Sequence, residues 1–253
     1  MSAAVADTAY AIAAVRAEES ARPPADRLFD DPYAALFAAG GAHAADGVAR
    51  FLDLPFFRDG IRLRTRYIDD VVRAGVADGL AQVVVLGAGF DARAMRLPEL
   101  AGGRVFEVDL PEQLDARAAL LAAAGIAPPP WTAQVPCDFE APDFEELLDA
   151  ALAERGFRRD AGALFVWEGV IAYLRRESVD RGLAFMARAG GPGSRVVFDF
   201  SSFLFDPESA AERTRRHGFT ACEEVAFDEL WRRHLPGEPH ENAWVVRAAV
   251  ARV

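Results

Sequence analysis

The pattern of apolar and polar positions changes character near residue 79, and the two parts predict different elements. Ala3 to Glu19 is a run of helix formers halted by Ser20-Ala-Arg-Pro-Pro, which predicts one helix ending before Pro23. Asp31-Pro32 has the form of an N-cap with proline at the first helical position, starting a helix from Tyr33 to Ala39. In the glycine-broken segment that follows, Phe51, Leu52, Leu54, Phe56 and Phe57 cluster around Pro55. Gly60 to Ala77 reads as a longer helix with Ile61, Tyr67, Ile68, Val71 and Val72 on one stripe. Arg62, Arg64 and Arg66 cannot share a face of it, so one of them is available to turn inward, where a guanidinium fork suits a ligand carboxylate.

Beyond residue 79 the rhythm is strand then helix. Val83 to Leu86 and Arg104 to Asp109 predict two strands, followed by Leu110 to Ala124 as helix and Trp131 to Cys137 as strand. The next helix is Phe144 to Glu154, then strand Ala163 to Glu168, helix Glu177 to Ala189 and strand Ser194 to Phe200. Such alternation implies an α/β fold, a doubly wound and mostly parallel sheet with helices on both faces. Thr220 to Phe227 and Ala243 to Val253 are strand-like runs around a short helix near Asp228 to His234, and predict a terminal antiparallel pair. A chain of 253 residues fits one such domain, with 1–78 as an N-terminal helical cap and 79–253 as the core.

The chemistry concentrates where the first two strands meet. Gly87 and Gly89 follow the first strand at once, where glycine allows a tight turn and close approach to a ligand, and Asp91 is placed to cap the helix that opens after it. Asp109, at the end of the second strand, stands where an acid meets ribose hydroxyls. The spacing Gly87-x-Gly89-x-x-Ala92 also fits a dinucleotide fingerprint, so it does not name the adenosine cofactor. Asp91 discriminates: a carboxylate repels a pyrophosphate on this turn but tolerates the sulfonium of S-adenosylmethionine. The remaining strand ends carry Asp138, Glu168 and Asp199, giving a rim of acids in which Asp138 suits an adenine amine and Glu168 a cationic or amino-acid moiety.

Composition removes alternatives. All 28 basic residues are arginine, so lysine Schiff-base chemistry and a P-loop are excluded. The net charge of -11 disfavours nucleic acid as a partner. Cys137 and Cys222 predict reduced thiols, not a disulfide framework, and His43, His217, His234 and His240 have no metal-ligand spacing. No G-x-S-x-G occurs, and no run reaches the ~18 apolar residues of a membrane span, so a cytoplasmic protein is expected. A site poor in bases suits methyl transfer to a carboxylate, which is already ionised.

Taken in order, Arg16-Ala-Glu-Glu-Ser, Asp30-Asp-Pro-Tyr33, Arg64-Thr-Arg-Tyr-Ile-Asp69, Leu86-Gly-Ala-Gly-Phe-Asp-Ala-Arg93, Phe106-Glu-Val-Asp-Leu-Pro111 and Trp167-Glu-Gly-Val-Ile-Ala-Tyr-Leu174 resemble the leucine carboxyl methyltransferase family. These are S-adenosylmethionine-dependent O-methyltransferases of the Rossmann-like, seven-stranded class. The resemblance implies that Arg64 binds the methionine carboxylate, that Gly87 and Gly89 form the turn beside Asp91, and that Asp109 and Leu110 border the ribose. It further implies that Asp138 and Phe139 bracket adenine and that Glu168 lines the donor site. The expected activity is methylation of a carboxylate of a small bacterial metabolite by a monomer or homodimer. The acceptor would lie against the N-terminal helices and Phe51 to Phe57, with Tyr173 orienting it. The alternatives are hydroxyl methylation of a polyketide-type aromatic, an NAD(P)-binding oxidoreductase, and a donor-binding protein without catalysis.

Overall fold

The computed structural model describes residues 3–41 and 55–253. His43 and Phe51 to Leu54 lie outside the described residues. Among the described residues three helices open the chain: α1 (Ala3–Ser20), α2 (Ala34–Gly40) and α3 (Pro55–Ala77). A seven-stranded sheet follows, built from β1 (Gln82–Leu86), β2 (Arg104–Asp109), β3 (Thr132–Pro136), β4 (Leu164–Trp167), β5 (Arg195–Ser201), β6 (Ala221–Ala226) and β7 (Val246–Arg252). Interleaved with the strands are α4 (Arg93–Arg96), α5 (Pro111–Ala123), α6 (Phe144–Glu154), α7 (Arg176–Gly190), α8 (Ser202–Phe205), α9 (Ala210–Arg216) and α10 (Phe227–His234).

The strand order is β3-β2-β1-β4-β5-β7-β6, with β7 antiparallel to both of its neighbours and the other pairings parallel. The expected doubly wound sheet is therefore present. Its terminal antiparallel pair takes an inserted form, the last strand in sequence lying between β5 and β6. All five residues of β1 are buried because both of its faces are covered. Val84 and Leu86 pack with Phe144 and Leu148 of α6 and Leu183 of α7, whereas Val83 and Val85 pack with Ile68 and Val72 of α3. The strand order reverses between the parallel neighbours β1 and β4, so the ends of these strands open the crevice in which ligands of such sheets bind.

Several boundaries differ from expectation for local reasons. Helix α3 begins at Pro55, five residues before Gly60, so the glycine is carried inside a helix and Phe56 and Phe57 belong to its first turns. Helix α2 begins one residue late, because Asp31 accepts from the Tyr33 amide (3.2 Å) and Tyr33 takes the cap position. Asp91 is not the N-cap of α4; Ala92 is, and Asp91 accepts the Arg93 amide from one residue further out (2.7 Å). Helix α9 is closed by a capping box between Ser209 and Glu212 and ends at His217, followed by Gly218 at φ +102°, as its sequence implies.

Gly87 is a residue at which the fold concedes no side chain. Its φ is +69°, and a Cβ there would lie 2.2 Å from Val170 Cγ2. Gly87→Ala is expected to cost about 2–4 kcal/mol, from the left-handed backbone and the overpacking together. Urea unfolding with an unchanged m-value would measure it.

Candidate functional site

The glycine turn is fixed by the second strand. The amides of Gly87 and Ala88 both donate to the Val108 carbonyl (2.8 and 2.9 Å). Asp109 then closes the turn from the side, its Oδ2 accepting the Gly89 amide (2.6 Å) and its Oδ1 the Leu110 amide (2.7 Å). Burial raises the Asp109 carboxyl above its ordinary value, and these two amides offset part of that rise.

Around this turn lies a cavity of about 470 Å³, within the range of about 300–1,000 Å³ usual for small-molecule sites. Arg64, Gly87, Gly89, Asp91, Asp109, Leu110, Asp138, Phe139, Glu168 and Tyr173, the ten residues singled out from the sequence, all line it. Asp199, the remaining acid of the predicted rim, lies behind Arg64 and does not line the cavity. Asp138 is exposed and accepts the Glu140 amide (2.9 Å), and Phe139 meets Phe144 edge to face at 5.9 Å. Tyr173 is 45% exposed at the mouth. Thr8, Ile12 and Arg16, spaced four apart on α1, face the same space, and Gln113 of α5 completes the wall. Phe56 and Phe57 do not line it.

Beneath the cavity runs a continuous chain of buried charges. Arg16 Nε stands 3.5 Å from Asp31, which lies 3.9 Å from Arg96 Nε. Arg96 and Arg93 share Asp69 at 2.6 and 2.8 Å, and Arg93 also pairs with Asp91 and, at 2.7 Å, with Glu168. Glu168 accepts from Arg64 Nε (2.8 Å), and Asp199 from Arg64 Nη1 (3.0 Å). With all nine groups ionised, the four guanidiniums face five carboxylates, leaving one negative charge for a ligand to balance. Of the arginines tested by spacing, Arg64 turns inward, while Arg62 pairs with Glu19 and Asp59 and Arg66 with Asp70.

Burial opposes the charged form of Glu168, but the guanidiniums of Arg93, Arg64 and Arg16 outweigh it and hold the carboxyl well below the usual range. Asp69 is lowered likewise, burial being outweighed by Arg93 and Arg96. Asp199 moves the other way: burial raises it, and Arg64 offsets only part. Cys137 is buried and pushed up to about 12, and so is an unreactive thiol at neutral pH. Among the described residues no cluster is arranged to hold a metal ion, and no helix is long and apolar enough to cross a membrane.

Sequence reasoning did not find Arg93, Arg96, Asp69 or Gln113 as parts of this assembly. The available signal was the Asp69 to Arg93 pairing of two motifs, each already conspicuous, whose charges have no reason to be buried unless they meet.

The leucine carboxyl methyltransferase family matches residues 9–187, more than half of the chain. A protein of Parafrankia sp. (strain EAN1pec), named as an S-adenosyl-L-methionine-dependent methyltransferase, is 36% identical over 250 residues, which cover 96% of this chain and 76% of the relative. One of the same description from Frankia alni is 40% identical over 200 residues, covering 77% and 68%. Two solved structures share the fold. A Thermobifida fusca protein named as a methyltransferase superposes with a TM-score of 0.58 at 20% identity, covering 96% of this chain and 93% of that one. A DUF574 family protein of Streptomyces avermitilis gives 0.59 at 16%, covering 95% and 96%.

Two outcomes test the ionic chain. Asp69→Ala leaves two guanidiniums without their shared partner and should destabilise the fold by about 3–5 kcal/mol in urea titration. Glu168 contributes stability that is present above the ordinary carboxylate pKa and is lost as pH falls through its depressed folded value. Glu168→Gln should therefore be less stable than wild type at neutral pH, yet lose less further stability between about pH 4 and pH 2.

Proposed function

The chain belongs to the leucine carboxyl methyltransferase family and is a methyltransferase with S-adenosyl-L-methionine as its donor; from that premise we propose that it methylates oxygen, at a carboxylate of a small bacterial metabolite. The observation that carries this reading is that few groups of the cavity wall, among the described residues, are free to accept a proton. No histidine lines it, and the chain has no lysine. The carboxylates of Asp91 and Glu168 are held by Arg93 and Arg64, and both oxygens of Asp109 accept amides. Such a wall favours an acceptor oxygen that is already ionised.

Bound donor supplies a methyl group on a sulfonium. The acceptor carboxylate forms a C–O bond to that carbon as the C–S bond breaks, its electron pair passing to sulfur, so that the products are a methyl ester and neutral S-adenosylhomocysteine. Anion and cation annihilate in this step, which a desolvated cavity favours over water. The carboxylates that line the cavity outnumber its arginines, which suits a donor whose sulfonium, ammonium and carboxylate sum to one positive charge.

In this reading Arg64 meets the donor carboxylate, and the amides and Cα of Gly87 and Gly89 let the nucleoside approach closely. Asp91 and Glu168 face its cationic groups, Asp109 and Leu110 border the ribose, and Asp138 and Phe139 border adenine. Tyr173, at the mouth, orients the acceptor, and α1 closes the cavity over both.

Calorimetric titration of S-adenosylmethionine tests the donor half. Arg64→Ala and Asp109→Ala should each weaken binding at least about tenfold, as expected for the loss of a charge-assisted hydrogen bond; wild-type affinity in both variants removes these assignments. Mass spectrometry of acceptor libraries tests the other half. A product whose added methyl is released by mild base is the ester expected here, whereas a base-stable product would mean an ether and an acceptor hydroxyl.

A further inference from the structure

The acid behind Arg64 has no place in the reaction as described, yet three elements converge on it. Asp199 stands near the end of β5, 8% exposed, and each of its oxygens has a separate task. Oδ1 accepts the amide of Gly169, in the turn after β4 (2.6 Å), and Oδ2 accepts Arg64 Nη1 from α3 (3.0 Å). Glu168, next to Gly169 in the same turn, takes Arg64 Nε (2.8 Å). Two nitrogens of the guanidinium are thus committed to two carboxylates, while Nη2 makes no hydrogen bond among the described residues and the side chain lines the cavity.

A guanidinium is planar, so fixing Nε and Nη1 fixes where Nη2 points. Gly169 closes off the alternative. Its φ is +69°, and a Cβ there would lie 3.3 Å from Nη2 and 3.4 Å from Nη1, so the backbone of the turn lies against the guanidinium. Without Asp199, Arg64 keeps one partner and is free to swing about it; electrostatic attraction to Glu168 survives, but orientation does not.

We propose that Asp199 is a positioning residue for the donor's amino-acid end: it holds Arg64 so that Nη2 is presented to the donor carboxylate, and it holds the Glu168 turn by the Gly169 amide. The proposal rests on the reading of Arg64 given above. It assigns Asp199 no contact with donor or acceptor.

The test uses two ligands that share the nucleoside and thioether and differ in the tail. S-Adenosylhomocysteine carries the amino-acid group, and 5′-methylthioadenosine lacks it. Asp199→Asn keeps an oxygen for the Gly169 amide but turns an amide N–H₂ toward Arg64, so the turn is retained while the guanidinium is released. By calorimetry on the full chain, this variant should lose at least about tenfold in affinity for S-adenosylhomocysteine while 5′-methylthioadenosine binds as in wild type. Gly169→Ala, which displaces the guanidinium without changing any charge, should lower the same ratio and serves if Asp199→Asn does not fold. An unchanged ratio of the two affinities, or an equal loss for both ligands, overturns the proposal. Equal affinities of the wild-type protein for the two ligands would instead overturn the assignment of Arg64 itself.

Discussion

A guanidinium taken out of water must be met by carboxylates, and in this protein four of them are buried along one line. The arginines in that line come from three places: Arg16 from α1, Arg64 from α3, Arg93 and Arg96 from the short helix after the glycine turn. The acids that meet them come from the loop before α2, from α3, from the glycine turn and from the ends of β4 and β5. Apart from Asp91 and Arg93, which are two residues apart, every pair in the line joins different elements. Desolvating such charges singly would cost several kcal/mol per ion, so the helices cannot settle on the sheet except in the arrangement that joins them all. The hydrophobic clusters fix the layers, and the ionic line fixes which edge of each layer faces the cavity.

This separates what the sequence made legible from what it did not. The strands, the sheet type and the glycine turn follow from local patterns: a four-residue apolar run in Val83 to Leu86, two glycines, an acid one strand later. Asp109, Asp138 and Glu168 were legible for the same reason, since strand ends in a parallel sheet share one rim, whereas Leu110, Phe139 and Tyr173 came from the family resemblance. What escaped were relations between distant positions. Asp69 reads as one more polar residue on a helix face until Arg93 is known to lie 2.8 Å away. Asp199 reads as a member of the acidic rim, whereas its oxygens are spent on Arg64 and Gly169. The terminal antiparallel pair was legible, but its order was not, since hydrogen bonding slots the last strand between β5 and β6.

The glycine turn and the acid of the second strand illustrate how one residue can serve fold and site together. Asp109 ties the Gly89 and Leu110 amides, so its charge is part of what shapes the turn. Each of its oxygens keeps acceptor capacity beyond these amides, since an ionised carboxylate has about four acceptor sites. A residue with both tasks cannot be exchanged for one alone.

The absence of lysine has a meaning beyond the reactions it excludes. Every buried cation in the line is a guanidinium, a group that keeps its proton to roughly pH 12 and above. A buried ammonium under the same desolvation would approach neutrality within the range of ordinary buffers. The ionic line therefore has one vulnerable side on the pH scale, the acidic one where carboxylates discharge. Toward alkali the charges of this line are locked, and whatever limits the fold there must be sought in other groups, the buried Cys137 thiol among them.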